Sequence, residues 1–295
     1  WNVRDDEFYV KVNVAGKKRN LKISLQSICD SPDLKLTLRD CLSLHAKAYD
    51  PLGIVLPTKQ IGNLLFRKTL RGLNLSIKEA GSGKKISPWD LEVIEYRDEW
   101  MNYFGMLEAL KDIKFPRSIK PLNVMEDTKP SLVTFSDGNE DAFGACAYAL
   151  WTLADGNKEA RLILAKAKLG PLLNKGETVK NELSGATYAV RIKTWIIQNA
   201  GIAYEDFIPF LDSMIVKFMI KKESYMFNTF VGLRVKEVDK KSDVESWRHI
   251  PSKENYVSDI LTRGETPDKL GPGSDWQTGP KWLVGHPDTW PVTSE

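Results

Sequence analysis

Four short segments, each with one carboxylate, constrain the fold of this chain more than any other feature. In chain order they are Phe135-Ser136-Asp137-Gly138, Asn181-Glu182-Leu183, Leu211-Asp212-Ser213 and Val257-Ser258-Asp259-Ile260. Asp137 and Asp212 each follow an apolar run of the kind that forms a buried strand. Glu182 and Asp259 fall on predicted helices. In open α/β sheets, ligands bind outside the carboxyl ends of parallel strands, so this placement favours convergence of the four carboxylates.

Converging carboxylates supply the oxygen ligands that Mg²⁺ prefers, and two such ions can clamp the oxygens of an in-line phosphoryl displacement. The gaps between the four acids are 45, 30 and 47 residues. The chain has 39 acidic residues, however, so four of them could be picked out by chance. The spacing alone therefore leaves two interpretations open, a metal site and ordinary surface charge.

The hydrophobic pattern after residue 130 predicts a mixed five-stranded sheet with helices on its faces. Three successive apolar segments predict an antiparallel meander, and two later strands separated by helices predict parallel crossovers. The predicted strands are 132–135, 143–151, 160–168, 207–211 and 246–250. The predicted helices are 179–198, 213–221, 228–238 and 256–261. The fold class predicted for this part is therefore α/β.

The first 130 residues read as a separate, mainly helical region. Period-two alternation predicts a strand over 8–14, and Thr37 is a candidate N-cap for a helix through Ala46. A second helix is predicted over 58–70, and the Gly, Ser and Lys residues of 71–87 predict a loop. Ser87 and Pro88 have the pattern of a helix start, and an amphipathic stripe continues to Leu110. Residues 118–130 are predicted to be a linker.

Composition narrows the class of protein. The chain has 295 residues, 42% hydrophobic and 27% charged, which is ordinary for a globular protein. No apolar run is long enough to cross a bilayer, and no signal peptide is visible. Three cysteines without a Cys-x-x-Cys pair predict reduced thiols and an intracellular setting. Because residue 1 is Trp, we expect the chain to come from a longer protein.

Several phrases, in order, resemble the polyprotein of BEL/Pao-type LTR retrotransposons. The N-terminal matches are Ala48-Tyr49-Asp50-Pro51-Leu52-Gly53-Ile54, Trp89-Asp90 and Phe115-Pro116-Arg117. Later matches are the four carboxylate segments, Phe230-Val231, Arg234-Val235, Trp247-Arg248-His249-Ile250-Pro251, Asn255 and Arg263-Gly264. The tail matches through Gly279-Pro280-Lys281-Trp282-Leu283 and Trp290-Pro291. Gly138-Asn139 departs from the Ala-Ser usual after the first aspartate, but no carboxylate is missing.

The resemblance implies a reverse-transcriptase thumb or connection region over 1–130, a ribonuclease H-like domain over 131–266 and a Trp-, Pro- and Gly-rich extension over 267–295. It implies that Asp137, Glu182, Asp212 and Asp259 are catalytic and bind two Mg²⁺ or Mn²⁺ ions. The implied substrate is the RNA strand of an RNA–DNA hybrid, cut during reverse transcription. The implied partner is the rest of the reverse transcriptase, in the cytoplasm or in retrotransposon particles, with no membrane contact.

Three further expectations concern alternatives and substrate contacts. The polymerase palm and the Asp-Thr/Ser-Gly motif of aspartic proteases are both missing from the sequence. The chain could instead be an inactive or domesticated hybrid-binding module, and an integrase-type core is a weaker alternative. We nominate Lys217, Lys221, Lys222 and Arg263 as phosphate contacts because they follow Asp212 and Asp259 closely in sequence.

Overall fold

A mixed five-stranded sheet forms the centre of the second half of the chain, as the sequence predicts. This computed structural model describes residues 4–11, 35–79, 87–171 and 178–293. A separate two-stranded sheet comes first in the chain and consists of β1 (Glu7–Tyr9) and β2 (Lys114–Pro116). The strands of the five-stranded sheet are β3 (Ser131–Gly138), β4 (Ala142–Thr152), β5 (Lys158–Leu169), β6 (Phe207–Leu211) and β7 (Arg248–His249). Their spatial order is β5-β4-β3-β6-β7, antiparallel from β3 to β5 and parallel from β3 through β6 to β7.

The described α-helices occur in both halves of the chain. They are α1 (Leu38–His45), α2 (Leu56–Glu79), α3 (Arg97–Ala109), α4 (Thr178–Asn199), α5 (Met214–Ile220), α6 (Thr229–Lys241), α7 (Tyr256–Arg263) and α8 (Asp275–Thr278). The four helices predicted between residues 179 and 261 are all present, each within three residues of its predicted ends. Among the described residues, no helix is both long and apolar enough to cross a membrane.

Both faces of the sheet are buried, because alternate residues of the central strands point into two different cores. Ala145, Ala147 and Ala149 of β4 belong to the core that includes α4, where small side chains let the helix approach closely. Cys146 and Tyr148 belong to the opposite core. That second core also contains residues of the N-terminal helices, of α7 and of the C-terminal tail. The predicted domain boundaries at 130/131 and 266/267 remain predictions.

The C-terminal tail, which the sequence left as an ordered or partner-bound extension, packs against the sheet. Trp276, Leu283 and Trp290 are buried in the second core. The Trp276 indole donates a hydrogen bond to the Ile54 carbonyl at 2.6 Å, and the Tyr148 hydroxyl donates to the Trp276 carbonyl at 2.9 Å. Trp282 and Trp290 also lie edge-on to Phe210 of β6.

The region before residue 131 is mainly helical, with one expected start confirmed. The side chain and backbone of Thr37 exchange hydrogen bonds with Asp40, which forms a capping box at the start of α1. Of the strand predicted over 8–14, Phe8 and Tyr9 lie in β1, Val10 and Lys11 do not, and residues 12–14 lie outside the described residues. Phe115 lies in β2, opposite Phe8 of β1.

Two N-terminal predictions were wrong. The helix expected to end at residue 70 continues to Glu79, since Leu73 packs on the core and Gly72 lies under Tyr96, where a Cβ would approach the Tyr96 hydroxyl to 2.0 Å. The predicted loop therefore fails over 71–79, and residues 80–86 lie outside the described residues. The α-helix expected from Pro88 begins only at Arg97. Ser87 and Pro88 do start a single 3₁₀ turn, Pro88–Asp90, and a second one spans Ile94–Tyr96. Between the two turns Val93 N donates to the Leu36 carbonyl at 2.9 Å, so the helix is interrupted there.

Candidate active site

Asp137 and Asp212 lie side by side at one edge of the sheet. Asp137 is the penultimate residue of β3, and Asp212 directly follows β6. The two strands are parallel, and their register pairs Ser136 with Leu211. The next position along both strands therefore places the two aspartates beside each other, at the carboxyl ends where such sheets bind ligands.

Two glycines bring Glu182 of α4 next to Asp137. A Cβ on Gly138 would lie 2.3 Å from the backbone nitrogen of Glu182, and a Cβ on Gly185 would lie 2.5 Å from the Asp137 carbonyl oxygen. Any larger residue would push the helix off the strand at these points. This close approach explains why the position after Asp137 is Gly here, where the resembling family more often has Ala.

Asp259 approaches from the other face of the sheet, on α7. The Thr262 hydroxyl, one turn later on the same helix, donates to Asp137 Oδ2 at 2.5 Å. The Asn255 amide, at the helix start, donates to the Ser136 carbonyl at 3.0 Å. These two contacts fasten α7 to the end of β3. Sequence reasoning missed the role of Thr262, although its position three residues after Asp259, on the same helix face, is a signal that could have found it.

The carboxylates also have partners that hold their direction. The Ser213 hydroxyl donates to Glu182 Oε2 at 2.5 Å, and Arg263 Nε donates to Asp259 Oδ1 at 2.6 Å. His249 Nε2 lies 3.1 Å from the Asp212 carbonyl oxygen, and Nδ1 lies 2.5 Å from the Thr293 hydroxyl. Because a carbonyl only accepts, the neutral ring satisfies both contacts when Nε2 carries the proton. His249 thus ties the chain after β6 to the C-terminal tail.

The four acids form one electrostatic cluster. Burial, together with the charges of Asp212 and Asp259, raises the pKa of Asp137 to about 7 against the opposing Thr262 hydrogen bond. Burial also raises the pKa of Glu182, with a contribution from Asp212. The pKa of Asp212 is raised by burial and by Asp259, and hydrogen bonds from Ser252 and Asn255 oppose the shift.

The chemistry of these donors fits a hard divalent cation. All four side chains offer carboxylate oxygens, and a bound cation would relieve the like-charge repulsion that adds to burial in raising the pKa of Asp137. The orientations of these side chains are less suited to binding a cation. In the part of the chain that the structure describes, no three His, Cys, Asp or Glu side chains come together in a geometry that could hold a metal ion. Three carboxylates instead face Thr262, Ser213 and Arg263. The two-metal ligand set therefore stays a prediction.

The nominated phosphate contacts differ in how well they are placed. Lys217 is only 6% exposed, because α5 turns it inward and presents Ile215 and Phe218 to solvent. A buried ammonium cannot reach a phosphate without moving, so the structure argues against Lys217. Lys221 pairs with Glu245 at 3.0 Å, and Lys222 is exposed. The side chain of Arg263 is 71% exposed while paired with Asp259. For these last three, phosphate binding stays a prediction.

An antiparallel three-stranded meander continued by two parallel strands, with helices on both faces, defines a ribonuclease H-like α/β domain. Residues 37–213 match the family model described as "Pao retrotransposon-like RNaseH-like domain". The chain therefore belongs to this family, as the sequence motifs predicted. The match includes Asp137, Glu182 and Asp212, whereas Asp259 lies beyond it. The search of curated proteins found no match.

Two solved structures are similar to part of the chain. One is the N-terminal RNase H domain of a Mycobacterium tuberculosis protein, solved as a fusion with maltose-binding protein, with 12% identity and a TM-score of 0.32 over 46% of this chain and 92% of that one. The other is RNase H1 from the halophilic archaeon Halobacterium salinarum, with 12% identity and a TM-score of 0.25 over 45% of this chain and 93% of that one.

Proposed function

We propose that this chain is the ribonuclease H of a retrotransposon and that it hydrolyses the RNA strand of RNA–DNA hybrids with divalent cations. The observation that carries the proposal is the meeting of Asp137, Glu182, Asp212 and Asp259 at one edge of an RNase H-like sheet. The raised pKa values of Asp137, Glu182 and Asp212, caused first by burial and then by neighbouring carboxylates, describe a site whose negative charge is not balanced by the protein alone. Such perturbed clusters are typical of catalytic sites.

The four carboxylates would hold the ions, with Asp137 in the central position because it interacts with both Asp212 and Asp259. Bound divalent cations would activate a water molecule and neutralise the leaving oxygen. Thr262 and Ser213 orient Asp137 and Glu182 through their hydroxyls. Arg263 covers Asp259 and would have to release it before that carboxylate could bind a cation.

Cleavage of a labelled RNA–DNA hybrid, with Mg²⁺ and with EDTA, tests the proposal. We expect cleavage of the RNA strand only when the cation is present. Asp137→Asn should abolish it, because the nearly isosteric amide lacks the anionic charge. Asp155→Asn is the matched control, since it removes a carboxylate from the exposed turn between β4 and β5. Cleavage by the Asp137→Asn protein at the wild-type rate would contradict the assignment.

The direction of the side chains favours one second candidate, a module that binds hybrids without cutting them. The carboxylates are already engaged by hydroxyls and a guanidinium, and no three are placed to hold an ion among the described residues. Such a module would bind the hybrid in EDTA and leave it intact in both Mg²⁺ and Mn²⁺. RNA cleavage that depends on either cation would rule this candidate out.

A further inference from the structure

A cavity of about 600 Å³ opens next to the candidate active site, between α2, α3 and α7. Four cationic side chains and two acidic ones line it: Arg67, Lys68, Arg71 and Arg263, with Glu99 and Asp141. We call this cavity the basic groove. Three of its cations come from one helix, α2, which belongs to the mainly helical region rather than to the sheet.

The basic groove adjoins the candidate active site at two points. Arg263 lines the groove while its Nε contacts the Asp259 carboxylate at 2.6 Å. Asp141 lies in the short connection between β3 and β4, four residues after Asp137. Arg67 Nη1 donates to the Asp141 carbonyl at 2.6 Å, and Nη2 donates to the Gly170 carbonyl. Helix α2 is thereby fastened to the strand ends beside the carboxylates.

Arg67 contributes positive charge to the wall of the groove rather than an exposed contact. Its side chain is only 4% exposed, and its guanidinium bonds to the Asp141 and Gly170 carbonyls. The Lys68 and Arg71 side chains, 58% and 48% exposed, can reach a ligand in the groove.

We infer that the basic groove binds the sugar–phosphate backbone of the nucleic acid beyond the cleavage position. Apolar side chains of Ile61, Leu64 and Met106 lie between the charged groups. A nucleic-acid strand alternates apolar sugar surface with phosphates, which matches this lining, and phosphate contacts supply most of its affinity for proteins. The inference rests on the proposed function for its substrate. It assigns the helical region a direct part in holding the hybrid.

The test is the affinity for a fluorescently labelled RNA–DNA hybrid, measured by anisotropy in EDTA so that no cleavage occurs, over a series of salt concentrations. The variant Lys68→Gln/Arg71→Gln removes two cations and leaves the buried Arg67 in place. Each phosphate contact contributes about 0.9 to the slope of log affinity against log salt, so the slope should fall by about 2. At fixed moderate salt we expect a loss of roughly tenfold.

The control variant is Arg39→Gln/Lys111→Gln. Lys111 is 57% exposed and paired with Glu108, and Arg39 is 59% exposed and paired with Asp90, so both match the groove residues in exposure and pairing. Neither lines the groove. The control should keep the wild-type slope to within about half a unit. Equal losses in both double variants would overturn the inference, because general charge would then explain the binding.

A gain-of-affinity variant guards against a folding defect. Glu99→Gln removes an acid from the groove and frees Lys68, which contacts Glu99 at 2.7 Å, so the affinity should rise roughly two- to fivefold. Unchanged or weaker binding would count against the groove. Polyglutamate is the competitor for an acidic peptide, and displacement of the hybrid at equal charge concentration would overturn the nucleic-acid assignment.

The groove and the nuclease can fail separately. If the wild-type protein binds the hybrid through Lys68 and Arg71 but never cleaves it, the groove stands and the proposed nuclease function fails. If the protein cleaves the hybrid and the Lys68→Gln/Arg71→Gln variant keeps the wild-type affinity and slope, the nuclease stands and the groove fails.

Discussion

Asp137→Asn should make the metal-free protein more stable, even though it removes a candidate catalytic group. Burial and the charges of Asp212 and Asp259 raise the pKa of Asp137 from 3.8 to about 7. Each pKa unit corresponds to about 1.4 kcal/mol, so ionising this carboxyl at pH 8 costs the folded state up to about 4 kcal/mol. Asparagine has nearly the same shape, carries no charge and can still accept the Thr262 hydrogen bond.

The pH dependence has a definite sign. Between pH 3.8 and pH 7 the folded protein holds a proton on Asp137 that the unfolded chain has released, so wild-type stability falls as pH rises through this window. Above pH 7 the loss is complete. The advantage of the Asn variant should therefore be about 2–4 kcal/mol at pH 8 and less than half as large at pH 5.

Urea unfolding in EDTA at pH 8 and pH 5 measures both quantities. Asp155→Asn should show no gain at either pH, because hydrogen bonds with Asn157 lower the pKa of that exposed carboxyl instead of raising it. An Asp137→Asn protein that is no more stable than wild type at pH 8, or a gain that is equal at both pH values, would refute the reasoning.

Three other predictions concern cation binding, the packing of Gly138 and the burial of His45. Mg²⁺ should raise the Tm of the wild-type protein and EDTA should reverse the rise, whereas equal shifts in Asp137→Asn would place the bound ion elsewhere. Gly138→Ala should lower the free energy of unfolding by roughly 1–3 kcal/mol, because the new Cβ would clash with the Glu182 backbone. The control Gly105→Ala on α3, where a Cβ meets nothing within 4 Å, should raise it by about 1 kcal/mol. Equal effects of the two substitutions in urea unfolding would contradict the packing argument. Burial lowers the pKa of His45 to about 4, so its share of the stability falls by up to about 3 kcal/mol from pH 6.5 to pH 4, and His45→Gln should flatten this acid limb in the same assay.

The sheet was predictable because its strands are buried on one or both faces and end at clear turn signals. The bounds of β6 agree with the sequence to the residue, and the antiparallel and parallel parts follow from which connections carry a helix. The strand-end positions of Asp137 and Asp212 were predictable for the same reason, and the helix positions of Glu182 and Asp259 from the helical periodicity around them. Their ligand roles, and the roles of Lys221, Lys222 and Arg263, stay predictions.

What the sequence missed depends on contacts between distant segments. The helix is interrupted at Val93, whose backbone nitrogen bonds to the Leu36 carbonyl, and local helix signals cannot reveal such a partner. Helix α2 continues beyond residue 70, through several polar residues, because Leu73 packs against the hydrophobic core. Lys217 is buried although the sequence analysis placed it at the surface. In a helix of seven residues, the sequence alone does not determine which face packs against the core, and a shift of one position exchanges a buried residue for an exposed one.

The packing of the C-terminal tail has a practical consequence for anyone dissecting this chain. Trp282 and Trp290 lie edge-on to Phe210, and Trp282 also covers Phe135, so the tail shields the two strands that carry Asp137 and Asp212. A fragment trimmed to residues 131–266 would expose this aromatic surface and invite aggregation. It would also lose Thr293, which contacts the ring that holds the Asp212 carbonyl. An inactive or insoluble minimal fragment would therefore not test the proposed nuclease activity, which should be measured with the tail attached.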